Sequence, residues 1–453
     1  MKAKLIIAAL AFIGMAATIH AQEANLPQYQ RSSLHMVLLT TDEPGLEGAD
    51  DFSKQLDAAW QNYPFPDKYN KHLIDFTTAY GGQPKGSLLA LINTYKDGFQ
   101  GMGLIEAKEL LDKLQKPKEY NDNLVTAIND IITEKKIGNE LIKKWFNIQE
   151  DGSWDYELIK ERASYDASQA DVAEASATSR GVQAIIDRGE DLISNTFVTF
   201  SKLAFYPNEP VAAFTRDLAI FIAGLTKEPA KTIMIAAADA AYATTCKGYT
   251  ARTTTALYKL EWTEEVKAEF YNMFTSDNKI DMAKFNNYNF PMSLVGIDNA
   301  NNTTIDAKSG IASAIGLDEA VKPDDKLIQQ TVIRNIDKLF AKLQKSYEVF
   351  APVSQIISVD PLMADMGMKE GLEGGESFNL LEPVLNPETN EVEWKSIGVV
   401  KVSKKDIWDN RYSLVDGETE TAETEGPKGT VLSANKKAAV GMVVKQVVKA
   451  KKK

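Results

Sequence analysis

Tyr249–Trp262, YTARTTTALYKLEW, is the stretch that decides the fold class. It is rich in threonine, tyrosine and other β-branched or aromatic residues, the composition a pleated, half-buried strand favours. It stands inside a chain whose periodicity is otherwise mostly helical. Immediately before it, Val211–Leu225 and Ala230–Thr245 are two apolar segments joined through Thr226-Lys227-Glu228-Pro229, and they read as a buried helical hairpin. Within the second segment Ala236, Ala240 and Thr244 recur every four residues, as do Ala237, Ala241 and Thr245, which predicts close helix packing. After it, Glu264–Phe274 returns to a helix and Asp298–Thr304 (DNANNTT) reads as an asparagine-rich loop.

Further upstream, Ser32–Thr40 (SSLHMVLLT) reads as a strand, and Phe52, Leu56 and Trp60 mark a helix by their four-residue spacing. Tyr63-Pro64-Phe65-Pro66-Asp67 cannot continue it. Leu104, Leu111 and Leu114, then Leu124, Ile128, Ile131 and Ile132, then Leu141–Phe146 predict three more helices. An apolar stripe from Val182 through Ile185, Ile193, Phe197 and Phe200 to Leu203 predicts one long helix from Ser179 to the neighbourhood of Pro207. A second long helix is expected over Asp324–Phe350, with Leu327, Val332, Ile336, Leu339, Phe340 and Leu343 as its stripe.

Beyond Pro352 the pattern turns to β. Val353–Val359, Ser377–Leu385, Val392–Val402 and Arg411–Val415 read as strands, punctuated by Gly374-Gly375 and by residues 386–390. The expectation is an α+β protein: a mainly helical region over residues 22–350 with a few strands, then a small β-sheet or barrel-like region over 351–453. An acidic loop at 416–425 and a lysine-rich end from Lys436 close the chain. The valines among those lysines suggest a strand with a basic face, serving solvation and edge protection or docking on an acidic partner.

Residues 1–21 have the form of a secretory signal peptide: basic Met1–Lys4, uncharged Leu5–Ile19, and a small residue, Ala21, before Gln22. No cysteine stands at the cut, which excludes a lipid-anchored lipoprotein. Loss of Lys2 and Lys4 with no acid takes the net charge from −12 to −14. A chain this acidic is repelled by phosphate backbones, which disfavours nucleic acid as a partner. No later apolar run reaches the length of a transmembrane helix.

One cysteine and three histidines exclude a disulfide framework and a cysteine-built zinc site. No phosphate-cradling loop, Gly-x-Ser-x-Gly or His-Glu-x-x-His occurs, and no cofactor or metal is expected. Cys246 reads as a buried small hydrophobe, and His35 as a packed or surface histidine in its strand. His72, after the proline loop, is the better histidine candidate for a site. Asp187, Glu190 and Asp191 share a helical face, and two carboxylates suffice for glycoside hydrolysis. Trp408-Asp409-Asn410-Arg411-Tyr412 and Trp145-Phe146-Asn147 mix rings with polar groups, as sugar-stacking platforms or as core plugs with a polar tip do. Of these, Trp408, Asp409, Arg411 and Tyr412 are kept as site candidates.

Several stretches carry a resemblance: the Ala21-Gln22 junction, Arg31–Leu34, Pro66–Asn70, Trp145–Asn147, Ser179–Gly181, Glu190–Phe197, Gly367–Gly371 and Trp408–Tyr412. Together the chain resembles an uncharacterised family of exported proteins from Bacteroides-type Gram-negative bacteria. The resemblance implies export to the periplasm, outer membrane or exterior, and implies no activity. The leading expectation is an envelope protein that binds or scaffolds envelope proteins or glycan. Two alternatives stand beside it: a secreted glycan-acting hydrolase using paired carboxylates, and a subunit of an export or surface assembly docking through the lysine-rich end.

Overall fold

A computed structural model describes residues 32–41, 53–65, 69–71, 77–80, 88–115, 124–166, 192–305, 324–351, 353–385, 392–410, 429–440 and 442–448. In chain order its first part comprises β1 (Ser32–Thr41), α1 (Ser53–Gln61), β2 (Tyr69–Lys71), β3 (Thr77–Tyr80), α2 (Leu88–Thr94), α3 (Leu104–Gln115), α4 (Leu124–Glu134), α5 (Ile137–Trp145) and α6 (Glu157–Asp166). Then come β4 (Thr196–Pro207), α7 (Asn208–Gly224), α8 (Ala230–Thr245), β5 (Gly248–Leu260), α9 (Glu264–Tyr271), α10 (Met282–Asn287), β6 (Met292–Ile305) and α11 (Asp324–Ser346). The last part holds β7 (Val353–Val359), β8 (Leu362–Ala364), β9 (Ser377–Leu385), β10 (Val392–Lys401), β11 (Thr430–Val431) and β12 (Val443–Gln446).

The first sheet has the order β2-β1-β4-β5-β6, with β3 also pairing β1. β1 runs parallel to β2, β3 and β4, whereas β5 runs antiparallel to both of its neighbours, β4 and β6. Alternation along β1 serves two cores. Val37 and Leu39 join one with α4, α5, α9 and α10. Leu34 and Leu38 join another with α1 and α11. The sheet is thus a middle layer with helices on both faces. α11 is held by the stripe foreseen for it, with Val332, Ile336, Leu339 and Leu343 at or near full burial. Each such side chain contributes roughly 1.5–3 kcal/mol on leaving water.

The long helix expected from Ser179 does not extend past residue 194. Residues 192–194 are helical, and Thr196–Pro207 is β4; residues 179–191 lie outside the described set. Because β4 lies in the middle of a sheet covered on both faces, Phe197 turns to one core and Val198 and Phe200 to the other. A strand apolar on both faces lacks the alternation that would distinguish it from a helix. The asparagine-rich stretch is also a strand rather than a loop. Asp298–Thr304 pairs with Thr255–Tyr249 along β5. Poor strand propensity yields here to the ladder and to α11, which bonds the outer edge: Lys342 Nζ donates to Asn299 O and Lys338 Nζ to Asn301 O at 2.8 Å. Gly296 admits Tyr347, since a Cβ there would stand 2.2 Å from its ring.

The second sheet, β10-β9-β12-β7-β8-β11, is an open sheet and not a closed barrel. Val402 and Leu432 form a single bridge between its two ends. Its core gathers Ile356, Leu362, Phe378, Leu380, Val400 and Val444. β12, in the lysine-rich end, pairs with β9 on one side and β7 on the other. It is therefore an internal strand, so edge protection is not its role. The helical hairpin α7–α8 is present but is not buried as expected. In α8 only Ala238 is buried, and Ala236, Ala240 and Thr244 face outward rather than into a tight helix contact.

Candidate functional site

The first sheet is long, with β5 and β6 spanning 13 and 14 residues. Helices α4, α5, α9 and α10 cover one end of one face. The hairpin α7–α8 stands over the other end and leaves a cleft of about 290 Å³ between itself and the strands. Helical spacing sorts α7. Phe214, Leu218 and Ile222 pack toward Ala107 and Leu110 of α3, and Val211, Thr215 and Ala219 line the cleft. From α8 come Ala238, Ala241, Tyr242 and Thr245. The small side chains on both helices are what leave the space open.

The floor is built by strand register. Thr250 of β5 stands opposite Tyr206 of β4 and Thr303 of β6. Thr250 donates to Asn208 Oδ1 at 2.8 Å and lies 3.0 Å from the Thr303 hydroxyl, making a polar rung across the strands. Arg252 lies two residues along β5, on the same face. It is diagonal to Tyr206, and its guanidinium sits 5.6 Å from that ring's centroid. Arg252 Nε is buried and has no hydrogen-bond partner among the described residues.

The roof is tied by Arg216 of α7, whose Nε donates to Asp239 of α8 at 2.6 Å. Its guanidinium also lies 5.7 Å from the Tyr242 ring centroid. The Asp239 hydrogen bond raises the Arg216 pKa. Tyr242 donates to Glu209 at 3.2 Å, and its own pKa is raised, first by burial and then by Glu209.

A second polar cluster lies in the seam between the two sheets. Tyr63 donates to Asp337 Oδ1 of α11 at 2.8 Å, and Lys369 Nζ lies 4.0 Å from the same carboxylate. Burial raises the Asp337 pKa to about 6, against the opposing pull of Lys369 and Tyr63. Next in chain, Glu370 accepts from Gly367 N and from Asn410 Nδ2 at 2.9 Å. Asn410 Oδ1 in turn accepts from Lys369 N at 2.7 Å, and Met368 N donates to Trp408 O at 2.9 Å. Gly367 is required there, because a Cβ would stand 2.3 Å from Trp408 O. Gln344 donates to the Tyr69 hydroxyl at 2.8 Å, and the Tyr69 ring stacks on Phe350 at 5.2 Å.

Of the sequence-chosen residues, Trp408 is half-buried and Asp409 exposed, and their backbone neighbourhood holds the 367–371 turn. They belong to the seam and not to the cleft. His72, Asp187, Glu190, Asp191, Arg411 and Tyr412 lie outside the described residues, as do Ala21 and Gln22, the acidic loop at 416–425 and the lysines from 449 onward. Trp145 and Phe146 are core plugs, the former donating its indole N–H to Thr196 Oγ1 at 3.1 Å. Cys246 is buried, as is His35 in β1. The cleft residues Tyr206, Arg216, Tyr242 and Arg252 were not singled out by sequence. The one local signal was a lone arginine in the threonine-rich strand. No helix among the described residues is long and apolar enough to cross a membrane, and these residues hold no cluster of three metal-ligating side chains.

No protein-family model matches the chain, and no curated protein matches it in sequence.

Proposed function

We propose that this chain is an exported envelope protein with a binding role, and that the cleft between the α7–α8 hairpin and β4–β6 holds its ligand. The observation that carries the reading is the cleft itself: about 290 Å³ between a hairpin and strand ends, with small apolar walls and two ring-associated arginines. Concave, largely apolar spaces with a few placed polar groups are where proteins take small ligands. The basic start, apolar run and Ala21-Gln22 junction support export. Asp337 and Glu370 are the paired buried acids of the described residues most obviously available for hydrolysis. Asp337 Oδ1 and Glu370 are engaged in the seam by Tyr63, Lys369 and Asn410, and the unpartnered Asp337 Oδ2 is buried there rather than lining the cleft, which supports binding over carboxylate catalysis.

Fractionation of native cells tests the address, and in-cell cross-linking identifies neighbours. The expected result is a protein beginning at Gln22 in the periplasmic or outer-membrane fraction. Recovery of the Met1 form in the cytosol would overturn it.

A further inference from the structure

We infer that the cleft selects an amphipathic organic anion, its charged head on Arg252 and its apolar body against the alanine-lined helices. This rests on the cleft being the binding site and adds the chemistry of what it takes.

The two arginines differ in how their charge is met. Arg216 is held by Asp239 at 2.6 Å and Asp217 at 3.6 Å, near the open side of the hairpin. Arg252 has no carboxylate within 4.0 Å among the described residues. Among the described residues its buried Nε has no hydrogen-bond partner, and its guanidinium faces the Tyr206 ring. A ring face attracts the charge but accepts none of the five N–H bonds in the guanidinium plane. The buried Nε–H left so costs free energy until an acceptor arrives, and an anion bridging Nε and a terminal nitrogen satisfies two donors at once.

The neighbouring hydroxyls do not compete for that role. Thr250 gives its proton to Asn208, so the 3.0 Å contact with Thr303 consumes the Thr303 proton. Neither hydroxyl of this rung is left to donate to a ligand, and Arg252 Nε is a buried donor of the lining with no hydrogen-bond partner among the described residues. Much of the remaining wall is apolar, with Val211, Ala219, Ala238, Ala241 and Ile305, and the Thr215 and Thr245 hydroxyls in it donate to Val211 O and Ala241 O of their own helices. With a net charge of −12, or −14 without residues 1–21, the protein does not gather anions from a distance. Selection must act at contact range, which favours a ligand whose apolar part supplies affinity and whose charge supplies orientation.

The test is a fluorescence titration of the full mature protein with 8-anilinonaphthalene-1-sulfonate and, separately, with neutral N-phenyl-1-naphthylamine. The sulfonate is expected to bind one site more tightly than the neutral probe. Arg252→Met should weaken the sulfonate by about tenfold and leave the neutral probe within about twofold, as loss of a charge-assisted pair requires. Arg252→Lys should fall between, since it keeps the charge and loses the fork. Lys284→Met, which removes an exposed charge on α10 outside the cleft lining, should change neither probe appreciably. Ala241→Trp fills the cleft and should displace both. Circular dichroism confirms folding of each variant. If both probes bind equally and Arg252→Met changes neither, while Ala241→Trp abolishes both, the anion inference fails and the cleft reading survives. If Ala241→Trp leaves both probes bound, the cleft reading itself fails.

Discussion

The cleft and the seam are both polar, and they handle polarity in opposite ways. In the seam, Tyr63, Asp337, Lys369, Glu370 and Asn410 answer one another through contacts of 2.7 to 4.0 Å. They join α11 of the first sheet to the 367–371 turn of the second. In the cleft, the Arg216 pair locks the hairpin, and Arg252 meets a ring and no acid among the described residues. Asp337 Oδ2 and Gln344 Oε1 of the seam are also buried without a hydrogen-bond partner among the described residues, so an unanswered atom alone marks nothing; Arg252 Nε stands apart because it belongs to a residue lining a concave space. Clusters of charge are thus better read by where their hydrogen bonds end than by their composition.

That contrast can be broken most strongly at the seam's apolar frame. Phe340 is 2% exposed and meets the Tyr63 ring edge-on at 5.7 Å. Phe340→Ala should cost about 3–5 kcal/mol in urea unfolding, with hydrogen exchange accelerated first at residues 367–371 and last in the hairpin.

Next in size is a pH effect at Asp337. Its pKa is raised from 3.8 to about 6 in the folded chain, chiefly by burial. Lys369, Tyr63, Glu370 and Arg334 are the other groups acting on it. Below pH about 4 the group is protonated in both states. Between about 4 and 6 the folded state keeps its proton while the unfolded chain loses it, so stability falls as pH rises through that window and levels above it. The loss is of the order of 3 kcal/mol. Asp337→Asn should lack this component, seen as a wild-type-minus-variant difference that changes between pH 4 and pH 7 and is flat above. A pH-independent difference would contradict the burial account.

Glu370→Ala should cost about 1–3 kcal/mol, because Gly367 N–H and the Asn410 amide lose their acceptor. Calorimetry reads this directly, and the neutral probe should still bind, since the cleft is elsewhere. Smallest is Arg216→Ala. Arg216 and Asp239 are 38% and 49% exposed, so the pair is worth under about 1 kcal/mol. Its removal should loosen hairpin exchange rates while leaving the seam unchanged.

Much of the frame was legible in the sequence where one face decides. The α11 stripe, the α7–α8 hairpin, β5 and the β9–β10 pair all follow from local periodicity or composition. β4 was misread because burial of Phe197 on one side and Val198 on the other erases alternation. Asp298–Thr304 was misread because its reasons to be extended lie in β5, Lys338 and Lys342, far along the chain. The cleft was not legible, since Tyr206 and Arg252 meet only through β4–β5 register and Arg216 meets Asp239 only once the hairpin folds. The seam likewise brings Asp337 to Lys369, and Gly367–Gly371 to Trp408–Asn410, by tertiary packing alone.

The most direct measurement is native mass spectrometry of the protein released gently from the envelope of its own host, beside its Ala241→Trp form. The expected spectrum shows one small molecule retained by the wild type and missing from the variant. An adduct-free wild type, or a molecule carried equally by both, would contradict the assignment of the cleft as the place where this protein binds.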